Sequence, residues 1–512
     1  MTGITLQAAV LLTLLRAALV AGMALPCSTV VCRWVAAART SRARMLRICI
    51  SVAPVIIPEL LPGFHYRIAA SAWAQQTGVP LQNTAALTEL LYLLLQLVRS
   101  VAAAVLLRYL LPAGSRASTA LHSWRLLRPR LATGVWLRGW WSLSLRTCWQ
   151  PGLFLWCVLG LRVFQEFETA ALMQIDRAPV AWTVWLFDAS AAGLRQSELL
   201  RLTPYPLFPE ILLLLLLLSW GRQAGQDGDE QSGEHRQRTA SWSWAELVVL
   251  LSSGGLWVLY VLLPLLGSLL PGISGLLLLA ESGGMVQRTL VQMGVSLGFA
   301  FAAAAAALAL ATRLLRERQQ GFRRVLLWLI LLPGLSGNLV VALLLQFSFQ
   351  LPLLLELRDT FVPLLAGLVF SVLPGALVMV LLLRSMSSES AVHSAELLQQ
   401  SSGLPRRRAA SRLLWELSDG RWVMAWLLTA QWCFWNVTVS SILRPPAIEL
   451  VVNRLYNEMH FARTESLLGL TLLATIAPAL LAVLLLCILR IVRSIGSRRD
   501  PLAGGEHTGP LQ

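Results

Sequence analysis

The chain has 512 residues, 56% of them hydrophobic and 13% charged, with a mean hydropathy of +0.66. A soluble globular protein carries about 25% charged residues, so this composition points instead to a polytopic membrane protein with apolar runs of about 20 residues. The formal charge of +16 invites a nucleic-acid partner, but the arginines gather in alternate loops, as membrane orientation requires, and no nucleic acid is expected.

All 42 basic residues are arginine. Without lysine there is no phosphate-binding loop of the Walker type and no Schiff-base catalyst. The cysteines are scattered and form no paired ligand set, so neither a metal nor a cofactor is expected.

The apolar runs predict spanning helices near 5–26, 48–73, 87–112, 150–168 and 205–220, then 243–270, 288–312, 325–348, 361–384, 422–443 and 467–493. The first run has no basic region before it and is interrupted by Arg16, so it reads as a spanning helix rather than a cleaved signal. Arg33, Arg39, Arg42, Arg44 and Arg47 crowd one loop, Arg313, Arg316, Arg318, Arg323 and Arg324 a second, and Arg406 to Arg408 a third. The loops 74–86 and 271–287 hold no arginine. Positive loops stay inside, which puts the N-terminus outside and the C-terminus in the cytoplasm. Residues 221–242 are polar, mixed in charge and without apolar periodicity, and read as a cytoplasmic linker between halves 1–220 and 243–496, with a cytoplasmic tail at 497–512.

The halves repeat. LLPGFHYRIAASAW at 60–73 aligns with LLPGLSGNLVVALL at 331–344 at an offset of 271 residues, and the same offset carries His122 and Ser123 onto His393 and Ser394. At an offset of 269, Gly134 and Arg138 fall on Gly403 and Arg407, and TAALMQIDRAPVAWTVWLFD at 169–188 on TVSSILRPPAIELVVNRLYN at 438–457. An extra helix, 243–270, keeps the second copy in the orientation of the first. The expected fold class is therefore an all-α polytopic membrane protein of about 11 transmembrane helices in two parallel repeats.

The polar islands 118–138 and 389–408 fall on the cytoplasmic side in both halves. A short helix broken by glycine can lay its apolar face in a groove of a soluble partner; here Glu396, Leu397 and Leu398 precede Gly403, with Arg406 to Arg408 as a basic rim. On these residues, on the two Leu-Pro-Gly helices and on SSILRPPAIELVVNRLYNEMHF at 440–461, the chain resembles the fused two-half permeases of binding-protein-dependent ABC importers, the kind that take up ferric iron or thiamine. In that family the cytoplasmic loop carries a Glu-Ala-Ala motif; here Gly403 stands one residue later than the family spacing from Glu396, and Trp124 and Arg125 replace the acid in the first copy.

The resemblance implies a bacterial inner-membrane transport subunit that is not itself an enzyme. Two copies of a separate ATPase would grip His122, Ser123, Gly134, Arg138, His393, Ser394, Glu396, Leu397, Gly403 and Arg407. A periplasmic binding protein would deliver the solute, ferric iron as first expectation and thiamine as second, to an outer surface at 169–204 and 444–466.

Several polar or helix-breaking residues fall inside apolar runs. Pro62-Gly63 and Pro333-Gly334 occupy matched positions and mark a candidate translocation path. Arg162 stands four residues before Glu166; the two either pair on one helix or, with Glu168, line that path. Arg99 lies well inside the third run, and Glu59 sits among Pro54, Pro58 and Pro62. An ion-coupled secondary transporter with parallel repeats is the main alternative, and it needs coupling groups at mid-membrane. A lipid-modifying enzyme needs clustered catalytic carboxylates and a polar outer domain, which the sequence does not offer.

Overall fold

A computed structural model describes residues 5–78, 85–110, 150–174, 180–212, 242–281, 283–316, 329–331, 333–385, 397, 421–460 and 464–498. Among these residues regular structure is helical throughout. In chain order the helices begin with α1 (Leu6–Ala36), α2 (Ser41–Ile56), α3 (Leu60–Thr77), α4 (Ala85–Leu110), α5 (Gln150–Phe164), α6 (Glu168–Gln174), α7 (Trp182–Ala191) and α8 (Gln196–Leu202). Then follow α9 (Trp244–Trp257), a π-helical turn (Val258–Leu262) and α10 (Leu263–Glu281), which together make one long rod. The remainder comprises α11 (Gly283–Arg316), α12 (Asn338–Ser348), α13 (Val362–Ser385), α14 (Arg421–Phe434), α15 (Val437–Leu443), α16 (Val451–His460) and α17 (Thr464–Arg498).

Local chemistry explains the helix ends. Thr5 and Thr40 cap α1 and α2 by accepting the N–H of Ala8 and Ala43, and Ser243 with Glu246 forms a reciprocal capping box on α9. Gly78 stops α3 in the left-handed conformation, at φ 66°. Between α2 and α3, Ile57 is extended at ψ 131° because Pro58 follows it, and the two helix axes bend by 68°.

Six helical segments are long and apolar enough to cross a bilayer: Leu6–Ala36, Ala85–Arg108, Trp244–Glu281, Val286–Leu314, Val362–Leu381 and Glu465–Leu485; the bent pair α2–α3 makes a seventh if counted as one span. The sequence predicts eleven. Interruptions account for much of the difference: Gln165 to Phe167 end α5 early, Trp435 and Asn436 divide the run 422–443 into α14 and α15, and Gly337, at φ 91°, precedes a short α12. The run at 205–220 is described only to residue 212, where it is helical from 204. The linker 221–242 lies outside the described residues except for Trp242.

Two clusters form most of the core. In one, α1 packs along α4 and α5, with Ala9, Ala17, Ala21 and Ala24 letting the backbones approach. In the other, α11 packs along α13 and α14 through Ala300, Ala303, Ala304, Ala307 and Ala311. Small residues at these contacts are what membrane helices use when water supplies no driving force between them. The α10–α17 pairing is tighter still: a Cβ added to Gly469 would lie 2.7 Å from the carbonyl carbon of Gly275. Outward-facing Leu262, Leu266, Leu270, Ile273 and Leu277 of the long rod are exposed, as a lipid-facing surface is.

Candidate functional site

Ionisable side chains converge where the helices break. Glu59, at the elbow between α2 and α3, forms an ion pair with Arg99 in the middle of α4. Arg162 Nη2 of α5 stands 3.9 Å from the same carboxylate, and Thr169 Oγ1 donates to Glu59 Oε2 at 2.8 Å. One carboxylate thus ties an elbow, two helices and a short third helix together in a region of low dielectric, where unpaired charge is costly.

The break after α5 is built by Glu166. Its two oxygens accept the backbone N–H of Thr169 and of Ala170, capping α6, and the carbonyls freed at the break accept from Trp182 Nε1 (Phe164 O, 2.7 Å) and Thr183 Oγ1 (Glu166 O, 2.8 Å). Asn436 does the same work after α14. Its Oδ1 accepts the N–H of Val439 at 3.0 Å, and its Nδ2 donates to Ser371 Oγ at 3.0 Å. The two breaks meet across the fold: Glu168 Oε1 accepts the N–H of Val437 at 3.0 Å. Gln165 donates to Leu335 O and packs on Gly337, where an added Cβ would lie 3.1 Å from Gln165 Cβ.

A polar stripe on α4 faces this junction. Glu89, Tyr92, Gln96 and Arg99 recur at spacings of three and four residues, which places them on one helix face. Glu89 accepts a two-pronged bond from the buried Arg16, with Nη2 at 2.6 Å. The amide of Gln96, the hydroxyl of Ser100, the hydroxyl of Tyr260 and Nη1 of Arg162 are buried without a hydrogen-bond partner among the described residues, the kind of group that ordered water satisfies. Tyr260 sits on the π-helical turn, a local irregularity that often marks a functional position.

The chain has no match among protein-family models, curated proteins or solved structures.

The structure brings Arg162, Glu166, Pro62 and Gly63 into one neighbourhood, since Gly63 abuts α6, with an added Cβ 2.8 Å from Leu172 Cδ1. Pro333 and Gly334 are held differently: an added Cβ on Gly334 would meet Pro374 Cδ of α13 at 2.9 Å. The Arg162–Glu166 pair within one helix does not form. The helix ends at Phe164, so Glu166 leaves the helical register and caps α6, while Arg162 turns to Glu59. His122, Ser123, Gly134, Arg138, His393, Ser394, Glu396, Gly403 and Arg407 lie outside the described residues; Leu397 alone is described, and it is exposed.

The segments expected to form an outer surface are less free than loops. In 169–204 and 444–466, Trp182, Leu186, Val451, Val452 and Leu455 are core residues, so deleting these segments would unfold the protein as well as remove a surface. Asp176 lies outside the described residues, Asp188 is exposed, and Glu449 accepts from Gln292 Nε2 at 2.6 Å. A second polar cluster lies here, with Arg454 Nη1 donating to Thr289 Oγ1 at 2.8 Å and Gln292 Oε1 at 3.1 Å. Sequence reasoning missed Gln96, Tyr260 and the capping role of Asn436; the polar spacing along an otherwise apolar α4 was the available signal.

Proposed function

We propose that the chain is the membrane-spanning permease subunit of an ATP-driven importer, folded as two parallel repeats of about 11 spans in a bacterial inner membrane. The observation that carries a transporter reading is the pairing of helix breaks. Glu166 and Asn436 are 270 residues apart, and each caps a short helix after an interruption. Interrupted helices at corresponding positions of two halves are the best pointer to a substrate pathway. The order α1, α4, α5, α6, α7 parallels α11, α13, α14, α15, α16, and α1 packs on α4 and α5 as α11 packs on α13 and α14, which supports the duplication.

The ATP-driven part of the reading rests on the resemblance of the loops 118–138 and 389–408 to coupling loops. Two ATPase subunits dock there from the cytoplasm, and a periplasmic binding protein delivers a small solute from the opposite side, ferric iron being the first expectation and thiamine the second. The N-terminus is outside and the C-terminus is cytoplasmic. The test is co-purification from native membranes in mild detergent. An ATPase should be recovered with the wild-type chain and lost when Glu396 and Gly403 are both substituted, with the permease itself retained; no ATPase after mild crosslinking would remove the motor from the proposal.

One observation favours a second reading. The cluster of Glu59, Arg99, Arg162, Glu166 and Glu168 is the kind of largely water-shielded ionisable set that an ion-coupled secondary transporter uses, with Glu166 buried and the others partly buried. Substrate accumulation in proteoliposomes that contain the chain alone, driven by an imposed proton gradient, would favour that reading over the importer.

A further inference from the structure

Among the described residues the cluster, in which Glu166 is buried and the other four side chains are partly buried, does not balance. Arg99 and Arg162 supply two positive charges, whereas Glu59, Glu166 and Glu168 supply three negative ones. The neighbouring Arg16 and Glu89 neutralise each other, and Glu210, wholly buried beside Gln165, adds a further carboxyl rather than a cation. An uncompensated charge in such surroundings is costly, and a carboxylate there takes up a proton instead.

Hydrogen bonding decides which one. Glu59 meets Arg99, Arg162 and the Thr169 hydroxyl, all of which favour its ionised form. Glu166 receives two backbone N–H groups at the start of α6. Glu168 has one N–H, from Val437, on Oε1; Oε2 has no donor among the described residues. Glu168 is also partly exposed, so a proton on it can exchange, whereas Glu210 is sealed.

A second feature points to the same place. Tyr260 is 1% exposed, and its hydroxyl is buried with no hydrogen-bond partner among the described residues, beside the charged groups of the cluster. A water between this hydroxyl and the cluster would satisfy it and give a proton a route.

We infer that Glu168 is a proton-binding site at the seam between the two sets of broken helices, holding an exchangeable proton on Oε2 at neutral pH. The charge on Glu168 then governs the strength of its bond to Val437, because a carboxylate accepts an N–H more strongly than a neutral acid does. Loading the proton loosens the tie between α6 and α15, and releasing it tightens that tie. This inference does not depend on whether ATP or an ion gradient drives transport.

Infrared spectroscopy of the purified full chain in an ester-free detergent tests it without any substrate. The carbonyl band of protonated carboxylic acids should fall between neutral and alkaline pH. That difference band should be lost in E168Q and kept in E210Q, with helical content by circular dichroism equal to wild type. Should E168Q fold poorly, V437P provides the second arm: without the Val437 N–H the ionised form loses its donor, and the band should persist to higher pH. A wild-type chain with no such difference band, an E168Q variant that keeps it, or a V437P variant with an unmoved transition would each overturn the assignment.

Discussion

Glu168 of α6 and Val437 of α15 are joined by a 3.0 Å hydrogen bond across 269 residues of sequence, the same offset that aligns 169–188 with 438–457. The residues immediately before the two aligned segments therefore touch in the fold. The bond joins the starts of the two short helices that follow the breaks at Glu166 and Asn436.

Val437 is the first residue of α15, a position where proline is tolerated because its N–H has no helical partner. V437P should keep α15 and lose only the bond to Glu168. Compared with V437A, which retains the N–H, it should be less stable by about 1 kcal/mol, read from thermal unfolding in detergent. Equal stability of the two variants would mean that the bond contributes nothing to holding α6 to α15.

Glu59 is the only carboxylate that both Arg99 and Arg162 approach within ion-pair distance among the described residues. E59Q strands two guanidiniums and should cost about 3–5 kcal/mol, the usual penalty for removing one partner of a buried pair. The double variant E59L/R99M leaves less unpaired charge and should recover part of that loss. A double variant less stable than E59Q would show that the pair stabilises the fold directly.

Gly275 and Gly469 let α10 and α17 touch backbone to backbone. A leucine at position 275 would have to push the helices apart, and G275L should destabilise by about 1–3 kcal/mol. G254L, at a glycine with open space around its Cβ position, should change little. Thermal unfolding of the two variants side by side checks both statements.

Orientation can be read at two exposed side chains. Leu353, in the 349–361 connection between α12 and α13, is 92% exposed, and Trp244, at the start of α9, is 78% exposed. With native cysteines replaced, L353C should react with an impermeant thiol reagent in intact spheroplasts, and W244C only after permeabilisation. The reverse pattern would invert the proposed topology and place the arginine-rich loops outside. The ion pair between Arg33 and Glu246 is consistent with the proposed arrangement, since it joins the end of α1 to the start of α9, both placed on the cytoplasmic side by arginine bias.

Helical class and membrane habit were legible in the residues because they depend on local quantities: the length of an apolar run and the scarcity of charge within it. Run length overstates the count of long spans, however. An apolar average over 422–443 conceals the single Asn436 that caps a new helix, and the same average over 150–168 conceals the turn that Glu166 makes. Hydropathy sums over a window, whereas a break is decided by one side chain that finds an N–H to accept.

The candidate site shows the same division. Arg99, Arg162, Glu59 and Glu166 stood out in the sequence as charges in apolar surroundings, which is a statement about cost and needs no structure. Which charge meets which was another matter: Arg162 was one turn from Glu166 in sequence but pairs with Glu59 of another helix. The sequence by itself determined that this chain is apolar, helical and sparing of charge, because these follow from each residue's own transfer energy. Only the tertiary structure decided how its few buried charges are compensated, because a Coulomb interaction depends on distance in space, and residues 269 apart in the chain can be one hydrogen bond apart in the fold.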